Sequence, residues 1–139
     1  RVWLELDVPD TDLRVSLYEV LASGGSVLLA EDLMRARYRE SRQRQRPIEP
    51  GQVLPYRFES FPFFSRLVAK GSRLRLFRRC PNTIYLQKNH NSGGVVADET
   101  IADARIAHVT VYHDADRPSA LTLPLVRAAQ GAGERSPKQ

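Results

Sequence analysis

Two serines, three histidines and a run of arginines are the residues in this chain whose types and spacing could do chemistry. A serine nucleophile needs the strained Gly-x-Ser-x-Gly elbow, which lifts its hydroxyl clear between a strand and a helix. Neither Gly24-Gly25-Ser26 nor Gly71-Ser72 completes that pattern, and both read as turns. His108 and His113 are metal ligands by type, but five residues apart on a strand they point to opposite faces. His113 with Asp114 and Asp116, and His90 between Asn89 and Asn91, could ligate from loops, although turn chemistry explains the same letters. The residues therefore predict no catalytic group, no metal site and no cofactor.

The arginines need closer weighing. Leu33 to Ser41 reads Leu-Met-Arg-Ala-Arg-Tyr-Arg-Glu-Ser and opens a block holding Arg35, Arg37, Arg39, Arg42, Arg44 and Arg46. A second block holds Arg66, Lys70, Arg73, Arg75, Arg78 and Arg79. The net charge is only +5, but these blocks hold 12 of the 21 basic residues, so the surface should carry positive patches. Binding of single-stranded nucleic acid calls for arginines facing phosphate beside stacking aromatics. On a strand, Arg35, Arg37 and Arg39 share one face while Tyr38 points to the other, so the stacking platform is missing. Guanidiniums also pair well with carboxylates across a domain boundary. Arg35, Arg37 and Arg39 are thus candidate interdomain contacts, and no nucleic acid partner is expected.

The elements that must position these residues are almost all strands. Val2 to Val8 alternates, with Val2, Leu4, Leu6 and Val8 on one face, as a half-buried strand does. Pro9 to Asp12 supplies a turn, and Leu13, Val15 and Leu17 begin a second strand reaching about Leu21. Ser23-Gly24-Gly25-Ser26 signals a hairpin, because paired glycines accept positive φ. The third strand starts near Val27 and is expected to run to Arg39, with a bulge around Glu31-Asp32; a helix competes there, since Ala, Met, Leu and Arg all favour one, but the preceding hairpin argues for strand. Further strands are expected at Val53–Glu59, Arg73–Phe77 with Leu74 and Leu76 inward, Ile84–Leu86, Ile106–Tyr112 and Ala120–Val126. Phe61 to Val68 suits a short helical turn pinned by its rings, and residues 127–139 suit a flexible tail.

Seven or eight short strands with hardly any helix spell an all-β sandwich or barrel, and the long crossing loops favour a jelly roll. The longest aliphatic run, Val27-Leu28-Leu29-Ala30, is too short to span a bilayer, so no membrane partner is expected. One cysteine, Cys80, excludes an internal disulfide but leaves the compartment open. A chain that opens inside a strand is expected to be part of something longer.

Four stretches in order resemble the C-terminal domain of the X-prolyl dipeptidyl-peptidase and cocaine-esterase-like hydrolases. Leu33 to Ser41 looks like the family's basic strand after its first hairpin. Lys70-Gly71-Ser72-Arg73-Leu74-Arg75-Leu76 is similar to its Gly-x-Arg-x-Arg-Leu turn and strand, with Ser72 where many members place histidine. Asn89 to Gly94 resembles its Asn-rich loop, and Val109–Asp114 with Arg117–Pro124 looks like its closing hairpin. The resemblance implies a galactose-binding-like jelly-roll sandwich over residues 1–126, lacking its first strand and attached to an α/β-hydrolase domain. The family's catalytic Ser, Asp and His lie in that other domain, and none maps onto this sequence. The domain is then expected to brace the hydrolase, shape its pocket rim and leave homo-oligomer contacts open. A free-standing module is the alternative, with Trp3, Tyr18, Phe58, Phe61, Phe63 and Phe64 lining a groove for carbohydrate or another ligand.

Overall fold

In a computed structural model that describes residues 1–126, the chain folds into two antiparallel sheets of three strands each. Strands β1 (Val2–Leu6), β4 (Val53–Tyr56) and β6 (Val109–Tyr112) form one sheet in the order β4-β1-β6. Strands β2 (Asp12–Val20), β3 (Ser26–Arg35) and β5 (Arg73–Arg79) form the other in the order β3-β2-β5. The only helical segments among the described residues are two 3-10 turns, Ala36–Tyr38 and Ile101–Asp103. The expected flexible tail lies outside the described residues.

Alternation decides which side chains meet between the sheets. Leu4 and Leu6 of β1, Leu13 of β2 and Tyr56 of β4 are completely buried, and Ala36 and Ile48 close the cluster. Val2, Met34, Leu54, Phe58 and Val109 pack around it. The inward sets expected for the first two strands are thus the ones the fold buries. This is an all-β sandwich, as the pattern predicts.

Several local expectations fail, each for a tertiary reason. The third strand stops at Arg35, because the Ala36 amide donates to the Thr11 carbonyl (2.8 Å) and the Arg37 amide to Asp10 Oδ1 (2.8 Å). The bulge falls at Leu29, where the register jumps from Leu17↔Ala30 to Tyr18↔Leu28, and not at Glu31-Asp32. Phe61–Val68 forms no helical turn. Ser60 donates to Asp32 (2.9 Å) at one end, while Arg66 and the Ala69 amide bind Glu19 at the other (2.7 and 3.2 Å). The segment carries no regular secondary structure and is held as a strap between those anchors on β3 and β2. Ile84–Leu86 is a turn, and Ala120–Val126 makes no ladder, although Arg1 and Ala120 exchange two backbone bonds (2.9 and 3.1 Å). Leu74 and Leu76 share the face of Leu17 and so point inward, yet remain 41% and 48% exposed.

Gly93 marks a close approach of two loops. Its φ is +87°, and a Cβ placed there would lie 2.6 Å from Pro9 Cγ. Gly93→Ala should therefore destabilise the domain by about 2 kcal/mol or more, read as a lower denaturation midpoint with an unchanged slope.

Candidate functional site

The basic strip and the Asn-rich loop meet on the turn between β1 and β2. Asp10 is completely buried and accepts three bonds there. The Arg37 amide reaches its Oδ1 (2.8 Å), while Arg37 Nε (2.7 Å) and Asn89 Nδ2 (2.8 Å) reach Oδ2. Arg37 is itself only 6% exposed and also donates from Nη1 to the Gly94 carbonyl (2.9 Å) and Gln45 (3.3 Å). Asp12 lies directly opposite Arg35 in the β2–β3 ladder and takes its Nε and Nη2 (2.8 and 3.2 Å). The Asn89 amide bridges both carboxylates, reaching Asp12 Oδ1 at 3.1 Å. Donation to the Asp12 carboxylate holds the Arg35 guanidinium above its ordinary pKa, against the opposing pull of burial.

The loop beyond Asn89 is held by its own polar contacts. Asn91 adopts a left-handed conformation (φ 64°), with its amide on Asn89 Oδ1 (2.8 Å) and its side chain on the Arg105 carbonyl (2.8 Å). Glu99 accepts the His90 amide (2.8 Å) and the Ser92 hydroxyl. Burial pushes the Glu99 carboxyl up, but the Ser92 hydroxyl, the His90 amide and nearby positive charge together hold it below its ordinary value. Burial also pushes the Tyr56 hydroxyl up, to about 12.

Arg35, Arg37 and Arg39 therefore do not share one strand face, which corrects the alternation argument. The strip leaves the sheet after Arg35, and a 3-10 turn sends the three guanidiniums to different partners. Arg35 binds Asp12, Arg37 binds Asp10, and Arg39 donates to the Arg46 carbonyl (2.7 Å) beside Glu40. The strip instead forms one wall of an open groove of about 840 Å³, running from Glu31 past Tyr38 to Arg42 and bounded opposite by Pro55, Arg57 and Glu59. None of the six aromatics considered for a ligand groove lines it; Tyr38 is its only aromatic wall.

His90 and His108 take structural positions, the former giving its amide to Glu99. His108 holds Asp7 through its amide (2.7 Å) and its Nδ1 (2.6 Å), a solvent-exposed pair that keeps the Asp7 carboxyl below its usual range. Among the described residues no hydroxyl bonds the other ring nitrogen, so the pair completes no triad. Asp114 caps its own turn, accepting the Asp116 and Arg117 amides (3.1 and 2.8 Å). No group of three or more metal-ligating side chains occurs among the described residues.

Sequence reasoning missed Asp10, Asp12 and Glu19, reading the first two as turn formers. A signal existed: Asp10 and Asp12 stand two apart, as do Arg35 and Arg37. Glu19 gave none, being an acid on a strand whose partner, Arg66, is distant in sequence.

A family model described as the X-Pro dipeptidyl-peptidase C-terminal non-catalytic domain matches residues 1–122. Among curated proteins, the cocaine esterase of Rhodococcus sp. (strain MB1 Bresler) is 25% identical over 127 residues, covering 91% of this chain. The chain spans 22% of the length of that relative.

Removing Arg37 strands a buried carboxylate, so Arg37→Met should cost about 3–5 kcal/mol in chemical denaturation. Arg35→Met, at a partly exposed pair, should cost about 1 kcal/mol. Glu31, bonded by Arg14, and Glu99 are both held below the ordinary value of 4.5. A depressed carboxylate contributes stability that is complete above its unfolded pKa and is lost as pH falls through its folded value. Thermal midpoints should fall as pH drops below about 4.5, and Glu99→Gln should flatten that fall while lowering the plateau at neutral pH.

Proposed function

The chain belongs to the X-Pro dipeptidyl-peptidase C-terminal non-catalytic domain family, and on that basis we propose that it braces an α/β-hydrolase domain within a longer serine hydrolase. The parent enzyme in this reading cleaves acyl ester or amide bonds, X-Pro dipeptides among them. Its serine, activated by histidine, forms an acyl-enzyme in the other domain. The jelly-roll platform offered here shapes the rim of that domain's pocket and supplies no catalytic group.

The observation that carries the reading is the strap between β4 and β5. Phe63 is fully exposed and Leu67 is 82% exposed, with Phe64 and Val68 each 41% exposed beside them. Four large apolar side chains on one short segment make the kind of exposed patch that marks a protein contact. The strap is also anchored: Asp32 holds one end, and the fully buried Glu19 holds Arg66 and Ala69 at the other. A patch fixed at both ends can be pressed against a neighbouring domain without first paying to be ordered.

Arg35, Arg37 and Arg39 serve that contact unequally. Arg35, partly exposed and reaching Gln87 (3.5 Å), can extend to a second domain. Arg37 and Arg39 hold the platform behind it.

In the longer hydrolase carrying this domain, Phe63→Asp with Leu67→Asp should lower the temperature of half-inactivation by roughly 5 °C or more. The same pair in the isolated domain should leave its unfolding midpoint unchanged. A hydrolase whose inactivation ignores both substitutions would remove the strap from the interface.

A further inference from the structure

Strand β5 sits at the edge of its sheet, paired with β2 on one side and with no strand on the other among the described residues. Six of its seven residues are exposed. The register shows that both of its faces share this condition. Arg73, Arg75, Phe77 and Arg79 project outward opposite Val20, Tyr18, Ser16 and Arg14, while Leu74 and Leu76 project inward opposite Glu19 and Leu17. Leu17 and Val20 are 2% and 5% exposed, yet Leu74, Leu76 and Phe77 next to them remain 41–48% exposed. Side chains of the inner strand are covered, and those of β5 have no strand beside them on the far side among the described residues.

The arginines of β5 are unpaired as well. Among the described residues Arg73, Arg75 and Arg79 have no carboxylate within ion-pair distance, although Arg14 in the same sheet is matched by Glu31. A strand paired on one side leaves half of its amides and carbonyls pointing away from the ladder. No turn or loop backbone bond reaches residues 73–79. Charges on an edge can serve simply to repel unwanted strands. That explains three arginines but not two leucines and a phenylalanine left half in water on both faces.

We propose that the free edge of β5 receives an extended segment from a partner protein, one that alternates acidic and apolar residues and adds a fourth strand to the sheet. Its carboxylates lie beside Arg73, Arg75 and Arg79, and its apolar residues beside Leu74 and Leu76, as cross-strand neighbours. Main-chain hydrogen bonds supply the affinity and the arginine row supplies the selection. A second copy of β5 fits poorly, because two such edges side by side oppose arginine with arginine. Leu74 stands opposite Glu19, which anchors one end of the strap, so the two surfaces adjoin; amide protection on β5 and the arginine variants separate this contact from that of the strap.

A nine-residue peptide alternating Glu and Val, titrated into the 139-residue chain, tests the proposal against a Lys–Val peptide of equal length. Expected are saturable binding of the acidic peptide alone, slower amide exchange confined to β5, and weakening by roughly tenfold or more in Arg73→Glu/Arg75→Glu/Arg79→Glu. That triple variant, with an unchanged far-ultraviolet spectrum, should bind the Lys–Val peptide instead. Equal binding of both peptides, protection away from β5, or an unaffected triple variant would overturn the proposal. So would self-association that the triple variant abolishes, or a single-stranded oligonucleotide competing at the same amides.

Discussion

A buried ion pair, Asp10 with Arg37, sits where four segments of the chain cross. Asp10 is completely enclosed and cannot keep its charge there without donors, so the three bonds it accepts are a condition of the fold. Meeting that condition turns Arg37 inward, which ends β3 and winds Ala36–Tyr38 into a 3-10 turn. The Pro9 carbonyl receives Ile48, and the Arg37 carbonyl receives Arg46 (2.8 and 2.7 Å), so the loop after the turn is drawn to the same point. Asn89 brings in the fourth segment.

The network also explains why stretches distant in sequence can carry one family resemblance. The basic strip and the Asn-rich loop are two halves of a single polar joint. Their conspicuous charge is spent inside the domain, which leaves little of it for phosphate. The surfaces free to meet other molecules are elsewhere: the strap with its exposed rings, and the arginine-lined edge of β5. A sandwich locked by a central joint can present both as rigid features, because neither contributes to the core around Leu4, Leu6, Leu13 and Tyr56.

The all-β class and the inward sets of β1 and β2 were legible in the sequence, because burial of one sheet face writes period two directly into the chain. So was the absence of a nucleophile elbow. The strap was not. Its rings and leucine suggest a helical turn locally, while the contacts of Ser60, Arg66 and Ala69 with acids on the sheet tie down both its ends. Likewise Ala120–Val126 alternates as a strand does but has no ladder to join.

What the sequence determined by itself was which residues alternate, where the glycine hairpin turns and which family motifs stand in order. What the tertiary structure alone decided was the register. From the hairpin, Val20 pairs with Ser26 and Tyr18 with Leu28, and an unbroken ladder would set Met34 against Asp12. The single extra residue at Leu29 shifts every later pair by one, so that Arg35 faces Asp12 and Met34 turns to the core beside Leu13. A shift of one residue exchanges the two faces of a strand. Local alternation is nearly indifferent to where such a bulge falls. The buried acids of the neighbouring turn, which need guanidiniums opposite them, are not.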